Sequence, residues 1–173
     1  MDFKIGVITD SFRCSLDKAI DKAASLGADG VQIYATGREL SADMSSSEIK
    51  KVVNHLNNAG LELSALCGDI GAFDDAIVNV ERIRRSKRIV DLAVNMGTKI
   101  VTTHIGTVPE DKNHEKYKII HNACSELGEY ADKSGVKFAI ETGPEKAFVL
   151  RMLLDDLDCS GIAVNFDPAN LTM

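Results

Sequence analysis

The feature that most constrains this 173-residue chain is a motif that recurs five times: an amphipathic stretch ends in a small or apolar residue plus glycine, and an apolar run soon follows. The five copies are Leu26-Gly27, Ala59-Gly60, Met96-Gly97, Ser134-Gly135 and Ser160-Gly161. Glycine suits a helix end because the left-handed backbone conformation common there penalises other side chains. The motif therefore predicts helices that each lead into a strand, with repeat spacings of 33, 37, 38 and 26 residues.

The pattern predicts six strands and five helices. We expect the strands at residues 4–9, 31–35, 61–67, 99–104, 137–141 and 162–167, and the helices at 15–26, 46–59, 76–96, 113–134 and 144–156. Most of these strands are short apolar runs, which is typical of parallel strands covered on both faces. Helix caps are predicted at Ser15 and at residues 45–47, and Pro144 suits a first helical turn, where its missing N–H is not needed.

Alternating strands and helices fold either as an open doubly wound sheet or as a closed barrel. A dinucleotide-binding sheet would carry a glycine-rich turn after its first strand, whereas this chain has Thr9-Asp10-Ser11-Phe12-Arg13. Polar residues instead follow nearly every strand: Asp10, Tyr34, Asp69, His104, Glu141 and Asp167. Barrel enzymes place their chemistry at these carboxyl ends. We therefore predict an incomplete TIM (β/α)8 barrel of six parallel strands, about five and a half βα units, as a single α/β domain over residues 1–173.

Composition narrows the possible partners and compartment. The formal net charge of -6 disfavours nucleic acid as a partner, because an acidic surface repels a phosphate backbone. No apolar run approaches the roughly 20 residues that a membrane span needs. The four cysteines lie far apart without a CxxC pair, which predicts reduced thiols and a cytoplasmic location.

Two carboxylates are the first candidates for chemistry. Glu141 and Asp167 each end an apolar strand, and adjacent parallel strands would bring them close together. Like charges in a dry site are costly unless a divalent metal neutralises them, so a shared metal is one interpretation. The other is that each carboxylate caps a helix or pairs with a lysine. His104 suits a ligand, a substrate contact, an acid/base group or a structural role, and no nucleophile motif supports covalent catalysis.

Several strand ends carry a family resemblance. They read Gly30-Val31-Gln32-Ile33-Tyr34, Ala65-Leu66-Cys67-Gly68-Asp69, Thr103-His104-Ile105-Gly106, Ile140-Glu141-Thr142-Gly143 and Asn165-Phe166-Asp167-Pro168-Ala169-Asn170. In this order the chain resembles, over its whole length, the xylose isomerase-like TIM barrels, and within them the sugar phosphate isomerase/epimerase proteins. The resemblance places the end of the chain before the seventh and eighth strands, so we expect a C-terminally truncated form.

The resemblance implies a divalent metal (Mn, Mg, Co or Zn) held by residues at the ends of strands five to eight. Glu141 and Asp167 match the first two ligands. It also implies that Glu141 is catalytic, as one of two glutamates that move a proton between neighbouring carbons of a ketose through an enediolate stabilised by the metal. His104 and Asn170 are expected to contact substrate, although several relatives carry a histidine where this chain has Asn170.

Together with the resemblance, these observations predict a metal-dependent sugar or sugar phosphate isomerase/epimerase. We expect this chain to hold half of the active site and to be inactive if the other half is missing. One alternative is an endonuclease IV-like phosphodiesterase acting at abasic sites, with His104 as a ligand; the acidic charge and Asn170 disfavour it. Another is a non-catalytic barrel remnant. The expected partners are a small sugar or polyol and a second copy of the chain, associating through the open barrel edges, unless the chain is a fragment of a longer gene product.

Overall fold

The predicted alternation of strands and helices is present in the computed structural model, which describes residues 3–37 and 39–171. Within these residues the strands are β1 (Gly6–Ile8), β2 (Gly30–Tyr34), β3 (Glu62–Cys67), β4 (Ile100–Thr103), β5 (Lys137–Glu141) and β6 (Ile162–Asn165). The α-helices are α1 (Leu16–Ser25), α2 (Ser46–Asn58), α3 (Ala76–Met96), α4 (Glu115–Ser134) and α5 (Ala147–Asp155). Short 3-10 helices follow β1 (Thr9–Phe12) and β6 (Ala169–Leu171).

The six strands form one parallel sheet in the order of the sequence, from β1 to β6. Every strand therefore pairs with the next one along the chain, and β1 and β6 are left as the two edges. In the last pair, Phe138 lies opposite Ile162 and Glu141 opposite Asn165. This topology confirms the predicted fold class, an α/β barrel that is open between its first and sixth strands.

The main core lies between the sheet and its helices. On β5, Phe138 and Ile140 are almost fully buried, and the Phe138 ring meets Phe73 edge-on with 6.5 Å between ring centroids. Because side chains alternate across a strand, burial of Phe138 and Ile140 on the helix side turns Ala139 and Glu141 toward the barrel interior. The apolar run of β5 thus determines where its terminal carboxylate points.

The recurrent glycines end helices as predicted at four positions, with positive φ at Gly27, Gly60, Gly97 and Gly135. Gly161 is different, because no positive φ is recorded there. A Cβ atom at Gly161 would lie 2.0 Å from the carbonyl oxygen of Gly128 on α4. This glycine is therefore required by close packing between α4 and the start of β6.

Only some of the predicted N-cap interactions are present at the starts of the helices. Ser45 forms a capping box with Glu48 at the start of α2, as the serine run indicated. Ser15 is the N-cap of α1 but makes no side-chain capping bond; the N–H of Leu16 donates instead to the Glu39 carboxylate. The prediction that Pro144 lies in the first turn of α5 was wrong, because the helix begins at Ala147.

Over residues 3–37 and 39–171, every helix lacks the combination of length and apolar character that a membrane span requires.

Candidate active site

A polar row crosses the inner face of the sheet near the carboxyl ends of its strands. The Gln32 side-chain amide on β2 donates to the Thr102 hydroxyl on β4 at 3.0 Å, reaching across β3. His104 lies two residues after Thr102, and Glu141 and Asn165 stand opposite each other on β5 and β6. Barrel interiors are usually filled by branched apolar side chains, so a polar row here indicates a binding surface.

Glu141 is the centre of this row. Its side chain is only 21% exposed, so the carboxylate must find donors to offset the loss of water. Asn170 donates to Oε1 at 2.9 Å, and Asn165 donates to Oε2 at 3.4 Å. His104 Nε2 lies 3.5 Å from Oε1. Two amide donors therefore hold the carboxylate, His104 lies beside it, and part of it is still exposed.

His104 stands at the end of β4 with its side chain 49% exposed. Its Nδ1 lies 3.0 Å from Oδ2 of Asp69, which follows β3. The imidazole is therefore placed between two carboxylates, with Asp69 on one side and Glu141 on the other. This is an arrangement in which histidine can serve as a hydrogen-bonding or proton-transfer group.

Tyr34 and Cys67 extend the polar row toward β2 and β3. The pKa of the Tyr34 hydroxyl is raised, first by the neighbouring Cys67 thiol and then by burial. Burial also raises the pKa of the Cys67 thiol, against hydrogen bonds to the Asp69 backbone, Thr102 and Tyr34 that act in the opposite direction. Both groups therefore stay protonated near neutral pH, which makes them hydrogen-bonding side chains and not nucleophiles.

Asp167 is tied to the end of β5 through Thr142, the residue after Glu141. The Thr142 hydroxyl donates to the Asp167 carbonyl oxygen at 2.9 Å and accepts the Asp167 N–H at 2.8 Å. The Asp167 carboxylate accepts the N–H of Ala169 at the start of the second 3-10 helix. The alternative in which this carboxylate caps a helical turn thus has direct support, and its role as a metal ligand stays a prediction.

The predicted divalent metal needs several ligand side chains placed close together. Among the residues that the structure describes, no group of three or more His, Cys, Asp or Glu side chains is placed to hold a metal ion. Glu141 and Asp167 provide two carboxylates at neighbouring strand ends, and divalent ions in proteins take six or more oxygen ligands or about four mixed ligands. The described residues alone therefore do not form a metal site.

The structure brings together three of the four residues predicted for the site, namely Glu141, His104 and Asn170. Asn170 contacts Glu141 directly, and its contact with substrate stays a prediction. Two contributors were missed, Asp69 as the partner of His104 and Asn165 as a donor to Glu141. The sequence marks Asp69 only as a polar strand end. The alternation of side chains along β6 is the signal that indicates an inward-facing Asn165.

The sequence profile of one family, described as Xylose isomerase-like TIM barrel, matches residues 20–173. The chain belongs to this family. No curated protein matches the sequence. The match covers α2 to α5, β2 to β6 and every residue of the candidate site, so the family resemblance expected from the strand ends is confirmed.

Solved structures of other xylose isomerase-like barrels share the fold. A xylose isomerase domain protein from Planctomyces limnophilus has a TM-score of 0.82 at 22% identity, covering 98% of this chain and 64% of its own. A D-psicose 3-epimerase studied with D-fructose has a TM-score of 0.77 at 15% identity, covering 98% of this chain and 65% of that one. A sugar phosphate isomerase/epimerase from Parabacteroides distasonis has a TM-score of 0.69 at 15% identity, covering 98% and 67%.

These identities show the fold and nothing finer. The present xylose isomerase-like chain spans 64% of the length of the Planctomyces limnophilus protein. The similar structures include a D-psicose 3-epimerase, a probable 3-DHS dehydratase and a sugar phosphate isomerase/epimerase.

Proposed function

We propose that this chain contributes Glu141 and its neighbours to a metal-dependent isomerase or epimerase that acts on a small sugar, a sugar phosphate or a related polyol. The observation that carries the proposal is the position of Glu141. It is a carboxylate at the end of β5, mostly buried, held by amide donors and facing His104 beside open space. A general base needs this combination of restrained geometry and access to substrate.

The chemistry of sugar isomerisation suits these residues. Glu141 takes a proton from the carbon next to a ketose carbonyl. In isomerisation it returns this proton to the neighbouring carbon while the hydroxyl proton moves to the former carbonyl oxygen. In epimerisation a second acid on the opposite face, outside the described residues, would supply the new proton to the same carbon. Asn165 and Asn170 hold the carboxylate during both transfers, and His104 makes a hydrogen bond to a substrate oxygen. General acid/base transfer by a positioned side chain contributes about 10²–10⁴-fold to rate.

A divalent ion (Mn, Mg, Co or Zn) is part of the proposal. Glu141 and Asp167 would supply two of its ligands, and the others would come from outside the described residues. Such an ion, when bound, stabilises the negative charge that develops on the enediolate oxygens. Similarity to a D-psicose 3-epimerase, a D-tagatose 3-epimerase-like protein and a sugar phosphate isomerase/epimerase supports this choice of reaction class.

We also propose that a second copy of the chain covers the open edges of the sheet. Exposed apolar side chains lie at both edges, with Ile5 67% exposed before β1 and Phe166 66% exposed after β6. Edge strands with unpaired backbone groups favour pairing with another chain. Light scattering should show a concentration-dependent dimer, and a stable monomer at every concentration would contradict this association.

Hydrogen exchange tests the catalytic proposal. The full chain is incubated with Mn²⁺ and D-psicose, D-tagatose or D-fructose in D₂O, and proton NMR follows the signal of the hydrogen next to the carbonyl. Wild type should replace this hydrogen with deuterium, and Glu141→Gln should lower the rate by about 10²-fold or more because the base is lost. Glu129→Gln, a change on the exposed side of α4, should leave the rate unchanged. Equal exchange rates for wild type and Glu141→Gln would refute the proposal. No exchange by wild type with any of the three sugars would also refute it.

A further inference from the structure

The loops that follow β3 and β4 are fixed against each other by backbone contacts. The N–H of Phe73 donates to the carbonyl oxygen of Ile105 at 2.8 Å, and both side chains are buried. Gly106 has a φ of +89°, and a Cβ atom there would lie 2.9 Å from the Cβ atom of Ala72. Because only glycine fits here, the distance between the loops is set by the backbone.

Asp69 and His104 are carried by these two loops. One carboxylate oxygen of Asp69, Oδ1, accepts the N–H of Gly71 at 3.0 Å. The other, Oδ2, lies 3.0 Å from Nδ1 of His104. An ionised carboxylate can only accept, so the proton in the second contact belongs to Nδ1. Asp69 thus accepts a backbone hydrogen bond at Oδ1 and a hydrogen bond from the imidazole at Oδ2.

The remaining ring nitrogen faces the candidate site. His104 Nε2 lies 3.5 Å from Oε1 of Glu141, which is longer than an ordinary N–H···O hydrogen bond. Oε1 already accepts the amide of Asn170 at 2.9 Å. Nε2 therefore lies beside the carboxylate but makes no short hydrogen bond to it. A substrate oxygen placed here can contact both groups.

The geometry points to Asp69 as a positioning residue for the proposed reaction: it keeps the His104 proton on Nδ1, so that Nε2 is the atom presented to substrate beside Glu141. The inference rests on the proposed function for the role of Nε2, while the protonation of Nδ1 can be measured without turnover. Carboxylates that hold one imidazole nitrogen in this way fix both the ring orientation and the tautomer in other active sites.

An isosteric variant separates positioning from a purely structural role. In Asp69→Asn, the amide oxygen is expected to keep the bond from the Gly71 N–H, because that contact needs an acceptor. The side-chain NH₂ then faces Nδ1 of His104 and can only donate to it. The fold is preserved, but the proton of the neutral imidazole is displaced from Nδ1 to Nε2.

Long-range ¹H–¹⁵N NMR of the ¹⁵N-labelled full chain reads the tautomer directly, at about pH 8.5, roughly two units above the ordinary imidazole pKa. His104 is assigned by comparison with His104→Gln. We expect a protonated Nδ1 in wild type and in the control Asp74→Asn, and an unprotonated Nδ1 in Asp69→Asn. An unprotonated Nδ1 in wild type, or a protonated one in Asp69→Asn, would overturn the inference. Neither result depends on isomerase activity, so failure of the proposed reaction would be recognised separately by the exchange assay.

Discussion

At the scale of single residues, the partners of the candidate-site side chains come from distant parts of the sequence. Glu141 is held by Asn165 and Asn170, 24 and 29 residues away, and His104 is held by Asp69, 35 residues away. The positions of Glu141 and His104 at the ends of apolar strands were enough to predict both as candidate site residues. Their pairing depends on strand register and loop path, which residue type alone does not encode, and for this reason Asp69 and Asn165 were missed.

His55 gives a residue-scale prediction about pH. It lies on α2 and bridges two carboxylates of α1, with Nε2 2.7 Å from Asp21 and Nδ1 3.2 Å from Asp17. The hydrogen bond to Asp21 is the main cause that raises the pKa of His55 above its ordinary value of 6.5. Because folding raises this pKa, the stabilisation is complete below pH 6.5 and is lost as the pH rises through the folded-state value.

Chemical denaturation of wild type and His55→Gln at two pH values checks this coupling. The stability difference should be larger at about pH 5.5 than at about pH 8.5, by roughly 0.5–1 kcal/mol, the usual size for a partly exposed ion pair. Asp21→Asn should remove most of the pH dependence. A difference between wild type and His55→Gln that is the same at both pH values would show that the bridge does not stabilise the protonated imidazole.

At the scale of elements, hydrophobic period and recurrent glycines were sufficient to predict the β-strands and α-helices that the structure describes, but not the two 3-10 helices. The bounds of α3 and β5 agree with the prediction residue for residue. The bounds of the other elements differ from the prediction by one to three residues, and the end of β6 shows a tertiary cause. The last strand was predicted to reach residue 167 but ends at Asn165, because the Asp167 N–H donates to the Thr142 hydroxyl and Pro168 has no N–H to continue the ladder.

Gly161 gives an element-scale prediction. Gly161→Ala should lower the free energy of unfolding by about 1–3 kcal/mol, because the new Cβ atom would force α4 and β6 apart. Gly27→Ala is the matched control: it has positive φ but open space around the added atom, and it should cost about 1–2 kcal/mol, the usual penalty for a side chain in the left-handed conformation. Urea denaturation measures both. A smaller loss for Gly161→Ala than for Gly27→Ala would contradict the close packing described for this pair of elements.

At the scale of the whole molecule, six parallel strands curve around an inner face that carries polar groups instead of a packed apolar interior. Gln32, Thr102, His104 and Glu141 lie along it. Family membership accounts for the fold, and the chain covers about two thirds of the length of similar solved structures. In the proposed function, Glu141 is the proton-transfer group, Glu141 and Asp167 would be two of the metal ligands, and the other ligands would come from outside the described residues.

Binding of Mn²⁺ to the full chain, followed by the electron paramagnetic resonance signal of the free ion, tests most directly whether Glu141 is the centre of a metal-assisted site. We predict weak binding by wild type and an affinity at least about tenfold lower in Glu141→Gln, because affinity depends on the number of charged oxygen ligands. Glu129→Gln should bind as wild type does. Equal Mn²⁺ affinity in wild type and Glu141→Gln, or no binding by wild type, would contradict the account.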